Sequence, residues 1–359
     1  MTGAAPTWAP ELDTLPATMR AAFFVGGGTP LELRETTRPE PGPGEILVRV
    51  AACGLCHSDL HYMDHGVPTF KTPPLILGHE VAGMVAALGD GVDAALLGTD
   101  VLLAPVTTCG ACVACRTGRE NVCAEQKMIG NNVDGGFAEY VVTSARDAFA
   151  LPPELPLEES CVIADALTTA FHAVVRRGAV SPGESVAVFG CGGLGLNVVQ
   201  VASMIGARVV AVDVDPRKLA VARELGAHAA IDAREPDVAK RIRRETSGGV
   251  DVAVEAIGRP PTQEAAVASL RTGGRVVLLG SSAEPMTLPG GRVMYRELAV
   301  IGTLGCRGID FPVVIDLVRR GKLTVRQLVT HRHTLDEINT GFDQLRRGEG
   351  VRHIVAPAS

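Results

Sequence analysis

The chain has 359 residues, with 34 Lys or Arg against 40 Asp or Glu, a formal charge of −6. Hydrophobic residues at 46% and charged residues at 21% exclude a disordered chain or a coiled coil, and the length calls for two domains. Mild acidity argues against a nucleic-acid partner, which normally needs a basic face.

In chain order, residues 1–18 have no cationic start and no long apolar run, so they read as a frayed extension rather than a signal peptide. The first 150 residues carry strand signals at 20–25, 46–52, 81–87, 101–104 and 137–143, separated by Gly- and Pro-rich turns, which suggests a β-barrel-like domain. From Leu157 the texture changes. Strands are predicted at 185–189, 208–213, 229–232, 251–257, 275–280 and 298–303, with helices at 194–205, 217–225 and 262–270 between them. That alternation predicts βαβ units and a doubly wound parallel sheet of six strands. Helices at 312–320 and 336–347 and a strand at 352–356 are expected to return to the first domain. The longest apolar region, 185–212, is broken by glycines, Asn197, Gln200 and Arg208, unlike a membrane helix. A cytoplasmic location is therefore expected, where clustered cysteines bind metal or do chemistry.

Three constellations carry chemistry. Phe189-Gly190-Cys191-Gly192-Gly193-Leu194-Gly195 follows an apolar strand and opens a helix. Its glycines permit a tight turn and close approach to a pyrophosphate, which the helix N-terminus attracts. The next strand ends at Asp213, placed to accept hydrogen bonds from ribose hydroxyls and to repel a 2′-phosphate, which selects NAD over NADP. Arg217 and Lys218 just beyond either soften that selectivity or form an ordinary surface pair. Cys109, Cys112, Cys115 and Cys123 are spaced as four thiolates closing a tetrahedral shell; zinc is preferred to an iron–sulfur cluster because nothing else suggests electron transfer. The third set is dispersed: Cys53, Cys56, His57, Ser58, Asp59 and His61, then Gly78-His79-Glu80, then Asp165. A catalytic zinc takes three protein ligands and leaves one position open. Cys56, His79 and one carboxylate can supply them, whereas Cys53 reads as a packed thiol. His65, His172 and His228 have no partner in the sequence and read as ordinary histidines.

Together these residues resemble the zinc-containing alcohol dehydrogenases of the medium-chain dehydrogenase/reductase superfamily. The likeness spans residues 19–354 and rests on segment 54–59, Gly78-His79-Glu80, the four-cysteine loop, segment 134–140, the glycine loop with Asp213, and segment 348–354. The resemblance implies a GroES-like β-rich catalytic domain, 1–164 and 309–359, and an inserted Rossmann NAD-binding domain, 165–308, with the active site in the cleft. It implies two zinc ions per chain and NAD. Cys56 and His79 match the first catalytic ligands; a subgroup of secondary-alcohol dehydrogenases uses aspartate as the third, and Asp165 is preferred to Cys161 because the following Thr168-Thr169 helix start sets its register. Asp59 matches the carboxylate that orients the histidine ligand. Ser58 matches the hydroxyl that meets the substrate oxygen, and His61 the outer end of a proton relay through the nicotinamide ribose. Glu80 resembles the acidic residue behind the metal that can approach it. His57, Thr169, Gly190, Gly192, Gly193, Leu194, Gly195, Asp213, Lys218 and Arg352 are the expected coenzyme contacts.

The implied reaction is reversible hydride transfer between a small alcohol and NAD, with no membrane or nucleic-acid partner. The short loop before residue 134 favours a tetramer over a dimer. A local likeness of 126–131 to dehydrogenases of cyclic hydroxyacyl-CoA compounds gives an alternative substrate. A zinc-independent reductase would lack the Cys56 and His79 motifs. An inactive zinc-stabilised NAD-binding protein is the alternative of another class.

Overall fold

The computed structural model describes residues 15–357. The chain forms two compact units: one runs to Asp165 and resumes at Arg307, and the other is Ala166–Cys306. Most of the expectation for residues 1–18 lies outside the described residues.

The first unit is built on antiparallel β-structure. A path of strands runs Ala148–Ala150, Asp100–Leu103, Glu80–Leu88, Glu45–Gly54, Arg352–Ala356 and Val329–Thr334, and Tyr140–Ser144 also pairs with Glu45–Gly54. A smaller sheet joins Glu32–Thr37, Thr18–Phe24 and Leu75–Ile76. Strand Glu45–Gly54 is the hub because its apolar residues Ile46, Leu47, Val48, Val50 and Cys53 are fully buried. The C-terminal strand Arg352–Ala356 pairs with it antiparallel, Ile354 opposite Gly54 and Val355 opposite Cys53, so the chain end returns to this unit as predicted. Two differences have local causes. Strand Glu32–Thr37 was missed because its residues are nearly all exposed and charged or polar, with no buried face to set a period of two. The strand expected at 137–143 starts only at Tyr140, because Phe137 and Glu139 spend their carbonyls on Ala22 and Val50 in different strands, each at 2.9 Å.

The second unit holds six parallel strands in the order Ala229–Asp232, Arg208–Asp213, Ser185–Phe189, Val250–Glu255, Leu270–Leu278, Ala299–Gly302. This is the doubly wound Rossmann order, in which the chain reverses direction across the sheet at Ser185–Phe189. Strands and helices largely follow the predicted spans. Helix Val238–Glu245 was missed: its sequence is mostly charged, and it is started by the Asp237 carboxylate accepting from Lys240 N at 3.1 Å.

Candidate metal and coenzyme sites

Strand Glu45–Gly54 delivers the chain to Cys56, which caps helix His57–Asp64. The cap is reciprocal. The Cys56 Sγ accepts from Ser58 N at 3.5 Å, and Asp59 Oδ2 accepts from Cys56 N at 3.1 Å. The Ser58 hydroxyl lies 3.6 Å from that sulfur. Asp59 is fully buried and turns its other oxygen, Oδ1, toward His79 Nδ1 at 3.5 Å.

His79 is aimed by glycines. Gly78 has φ +95°, and a Cβ there would come within 2.7 Å of the Phe137 ring and 2.9 Å of Cys53 Sγ. Segment 134–140 packs under this turn: Gly136 N donates to Gly78 O at 2.8 Å, and Phe137 N donates to Leu77 O at 3.0 Å. A Cβ on Gly135 would sit 2.2 Å from Gly78 O, so two motifs distant in sequence form one supporting layer.

The donor atoms of Cys56, His79, Glu80 and Asp165 all lie within 4.8 Å of one another. His79 Nε2 is 3.7 Å from Asp165 Oδ2; two ligands on a tetrahedral zinc at 2.0–2.1 Å would stand about 3.4 Å apart. Asp165 lies in a π-helical turn, Ile163–Leu167, with helix Thr168–Phe171 following. Thr168 does begin the α-helix, but the wider turn before it is what presents Asp165. Cys161 is fully buried and is not among the converging donors; burial raises its thiol well above the ordinary range, so it stays protonated. Cys53 is likewise fully buried, its thiol pushed up by burial and by Asp59. Glu80 turns one oxygen onto the buried Arg352 guanidinium, and Gly54 makes room: a Cβ there would meet that oxygen at 2.1 Å. Arg352, expected at the coenzyme, is thus placed against Glu80.

This pocket fits a zinc ion. A thiol, an imidazole and two carboxylates converge, and the buried Arg352 guanidinium faces the set through Glu80. Glu80 Oε1 is buried with no hydrogen-bond partner, an orphan that a nearby cation would satisfy, while His79 Nδ1 and Asp59 Oδ1 face each other at 3.5 Å. Burial lowers the His79 pKa, but Asp59, the Cys56 sulfur and Asp165 outweigh it and hold the pKa well above the ordinary imidazole value. That field favours positive charge at this point.

The second cysteine set sits on a loop whose neck is the two-stranded ladder of Val106–Thr107 with Lys127–Met128. Its sulfurs approach at 3.9 Å (Cys109–Cys115), 3.5 Å (Cys112–Cys115), 3.8 Å (Cys112–Cys123) and 3.5 Å (Cys123–Cys109). All are free thiols. Zinc–sulfur bonds of about 2.3 Å require edges of about 3.8 Å in a tetrahedron, so these four fit that ion. Backbone N–H groups of Ala111 and Cys112 donate to Cys109 Sγ at 3.4 and 3.3 Å, and Glu125 N donates to Cys123 Sγ at 3.4 Å, which stabilises thiolate charge.

In the second unit, Gly190 has φ +92°, and a Cβ on Gly195 would lie 1.7 Å from Gly190 O. Helix Gly193–Ile205 can therefore begin hard against the turn. Gly192 faces open space and has no side chain capping the helix, as a phosphate-accepting N-terminus requires. Asp213 Oδ2 accepts from Cys191 N at 2.6 Å and Oδ1 from Asp215 N at 2.9 Å, which fixes the carboxylate at the rim of the glycine loop. Arg217 is held by Asp215 through Nε at 3.1 Å and Nη2 at 2.8 Å, pulling that carboxyl down to about 2. Thr169 is buried; Lys218 is half-buried; His57 is exposed as the first helical residue.

Of the histidines read as ordinary, His228 is exposed and His172 is buried. His65 is different: its Nδ1 lies 3.1 Å from Nδ1 of His61. The i, i+4 spacing was the signal available, on a segment where no helix was expected. Sequence reasoning also missed a parallel stack of His331, His333 and His353, marked only by the i, i+2 pair in one strand.

A Rossmann sheet with a glycine phosphate loop, joined to a GroES-like β-unit with a thiol–imidazole–carboxylate pocket, defines a zinc- and NAD-dependent oxidoreductase. The profile of the alcohol dehydrogenase GroES-like domain matches residues 42–153, and that of zinc-binding dehydrogenases matches 193–320. An alcohol dehydrogenase of Geobacillus stearothermophilus is 35% identical over 332 residues, 92% of this chain and 97% of that protein. The cobalt- and zinc-bound thermostable alcohol dehydrogenase of Pyrobaculum aerophilum superposes with TM-score 0.86 at 30% identity, covering 95% of this chain and 100% of that one. Acetophenone reductase of Geotrichum candidum NBRC 4597, solved with NAD, gives TM-score 0.86 at 27% identity over 96% and 98%. The chain belongs to the zinc-containing alcohol dehydrogenase family of the medium-chain dehydrogenase/reductase superfamily.

Proposed function

We propose that this chain interconverts a small alcohol and its aldehyde or ketone with NAD, using one zinc held by Cys56, His79 and Asp165 and a second held by Cys109, Cys112, Cys115 and Cys123. The carrying observation is that Cys56, His79 and Asp165, from three separate segments, bring their donor atoms within 4.8 Å. When bound, zinc supplies a Lewis acid that lowers the alcohol hydroxyl pKa, and NAD accepts the hydride.

The chain's own residues do the rest. Asp59 holds His79 in register through Nδ1. Ser58, beside the Cys56 sulfur, is the hydroxyl that takes the substrate proton, and His61 carries it outward. Glu80 is tied to Arg352 through one oxygen, which favours Asp165 as the third ligand, in line with the resemblance. Asp213 favours NAD, and Arg217 is paired with Asp215 on the surface. The GroES-like domain is assigned to the unit that runs to Asp165 and resumes at Arg307, and the coenzyme domain to Ala166–Cys306, within two residues of the expected bounds. A cytoplasmic tetramer fits nine cysteines that form no disulfide among the described residues and the short loop before Asp134. No described helix is long and apolar enough to cross a membrane.

The test is a panel of primary, secondary, benzylic and cyclic alcohols with NAD⁺ and NADP⁺. Turnover with NAD⁺ on at least one class is expected. Coenzyme binding without turnover on any of them would instead identify a binding protein.

A further inference from the structure

Helix His57–Asp64 ends in a pair of imidazoles one turn apart. His61 is half-buried, and His65, the C-cap residue, is exposed. Their Nδ1 atoms are 3.1 Å apart, and their rings are tilted by 57° rather than stacked. Two ring nitrogens at that distance need one donor and one acceptor, so a single proton lies between them. The turn beneath is fixed, since His65 N and Val67 N both donate to His61 O at 3.2 Å.

Among the described residues, the carboxylates of this helix have other partners, although the Asp64 carboxylate also feels the His65 imidazole. Asp64, the nearest carboxylate on this helix, is bound by Arg346 of helix Ile338–Arg346 at 2.7 and 2.9 Å, and Arg346 also holds Asp343 at 2.7 Å. Asp59 points inward to Cys56 and His79. Burial and then the neighbouring His65 hold the His61 pKa below its ordinary value, so at neutral pH His61 is uncharged and able to accept.

We propose that His65 is the outer member of a two-imidazole proton conduit, taking at Nδ1 the proton that His61 sheds and releasing another from Nε2 to water. This rests on the reading above that His61 receives the substrate proton. In the accepting state, His61 carries its ring proton on Nδ1, donated to His65, and its Nε2 is bare. A proton arriving at Nε2 makes an imidazolium. The His61 Nδ1–H bond then breaks as an N–H bond forms on His65 Nδ1, and the His65 Nε2–H bond breaks to solvent. One proton enters, one leaves, and no electrons move between groups. The pair ends with His61 protonated on Nε2, the tautomer that donates during carbonyl reduction, and exchange with water resets it. His65 is a positioning and proton-transfer residue that acts through His61.

The experiment compares wild type, His65→Gln and His61→Gln by the transient rate of NADH formation in dilute non-imidazole buffer, with NMR titration of the histidine ring protons. General acid–base groups contribute 10²–10⁴-fold, and an outer member replaceable by buffer should contribute about tenfold. The expectation for His65→Gln is that loss, recovery on adding imidazole, an unchanged alcohol KM, and a His61 titration moved to higher pH. A wild-type rate in dilute buffer with an unmoved His61 titration overturns the proposal. If His61→Gln is slow while His65→Gln is not, the conduit fails and the relay stands; if neither is slow, the relay reading fails as well.

Discussion

The two proposed metal-ligand sets within one structural unit are opposites. The four-cysteine set is contained in one loop, between a ladder at its neck and its own backbone N–H donors, and three of its sulfurs are half-exposed. The Cys56, His79 and Asp165 set is assembled from a helix cap, a glycine-supported turn and a π-helical turn, with Cys56 and His79 buried. A closed shell of four sulfurs has no position for a substrate, so its work is to pin a loop. A three-ligand set with a hydroxyl beside it can do chemistry, and assembling it means burying polar side chains. Locality goes with structure here, and convergence goes with reactivity.

The difference can be broken by mutation. Cys56→Ala should lower alcohol turnover by about 10³-fold or more, because several kcal/mol of charge stabilisation are lost, while NADH binding measured by fluorescence persists. Full turnover in that variant would end the assignment. Asp165→Asn removes one anionic ligand and should cost roughly 10²–10³-fold in kcat, whereas Cys161→Ala, a fully buried thiol outside the donor cluster, should leave kcat within about twofold and cost about 1 kcal/mol of stability. The reverse ordering in steady-state assays would reassign the third ligand to Cys161. Cys109→Ser should act the other way, lowering the melting temperature by roughly 5–10 °C through loss of the loop's clip, with kcat of the folded enzyme nearly unchanged below that temperature.

The smallest effect lies away from both sets. His353 is buried, its Nε2 faces Glu349 O at 2.8 Å, and its Nδ1 lies 3.1 Å from His333 Nε2. Burial lowers its pKa to about 4, with the neighbouring histidines adding to the shift. The unfolded chain therefore binds more protons than the folded one between the ordinary imidazole value and about 4. Stability should rise with pH across that window and fall as pH drops through it. Urea denaturation of His353→Gln should show a flatter dependence between pH 4 and about 6.5. A slope as steep as that of wild type contradicts the assignment.

How legible each feature was follows from how local its cause is. The cysteine loop could be read from spacing because its ligands are neighbours in sequence. The glycine loop and Asp213 were readable because strand, turn and helix follow one another, and the six parallel strands alternate with helices in the same way. Asp165 was not derivable from spacing. Its pairing with His79 depends on a π-turn that no periodicity announces, and family likeness alone pointed to it. Glu80 and Arg352 lie 272 residues apart, and their contact depends on the last strand returning beside Gly54, so no spacing could pair them. His65 had no signal beyond its helical spacing from His61.

Zinc content of the purified chain tests the central claim most directly, with elemental analysis of wild type beside Cys56→Ala and Cys109→Ser. The account predicts two ions per wild-type chain and one in each variant, with turnover surviving only where the Cys56 site keeps its ion. Two ions retained in Cys56→Ala, or a single ion in wild type that Cys109→Ser alone removes, would contradict it.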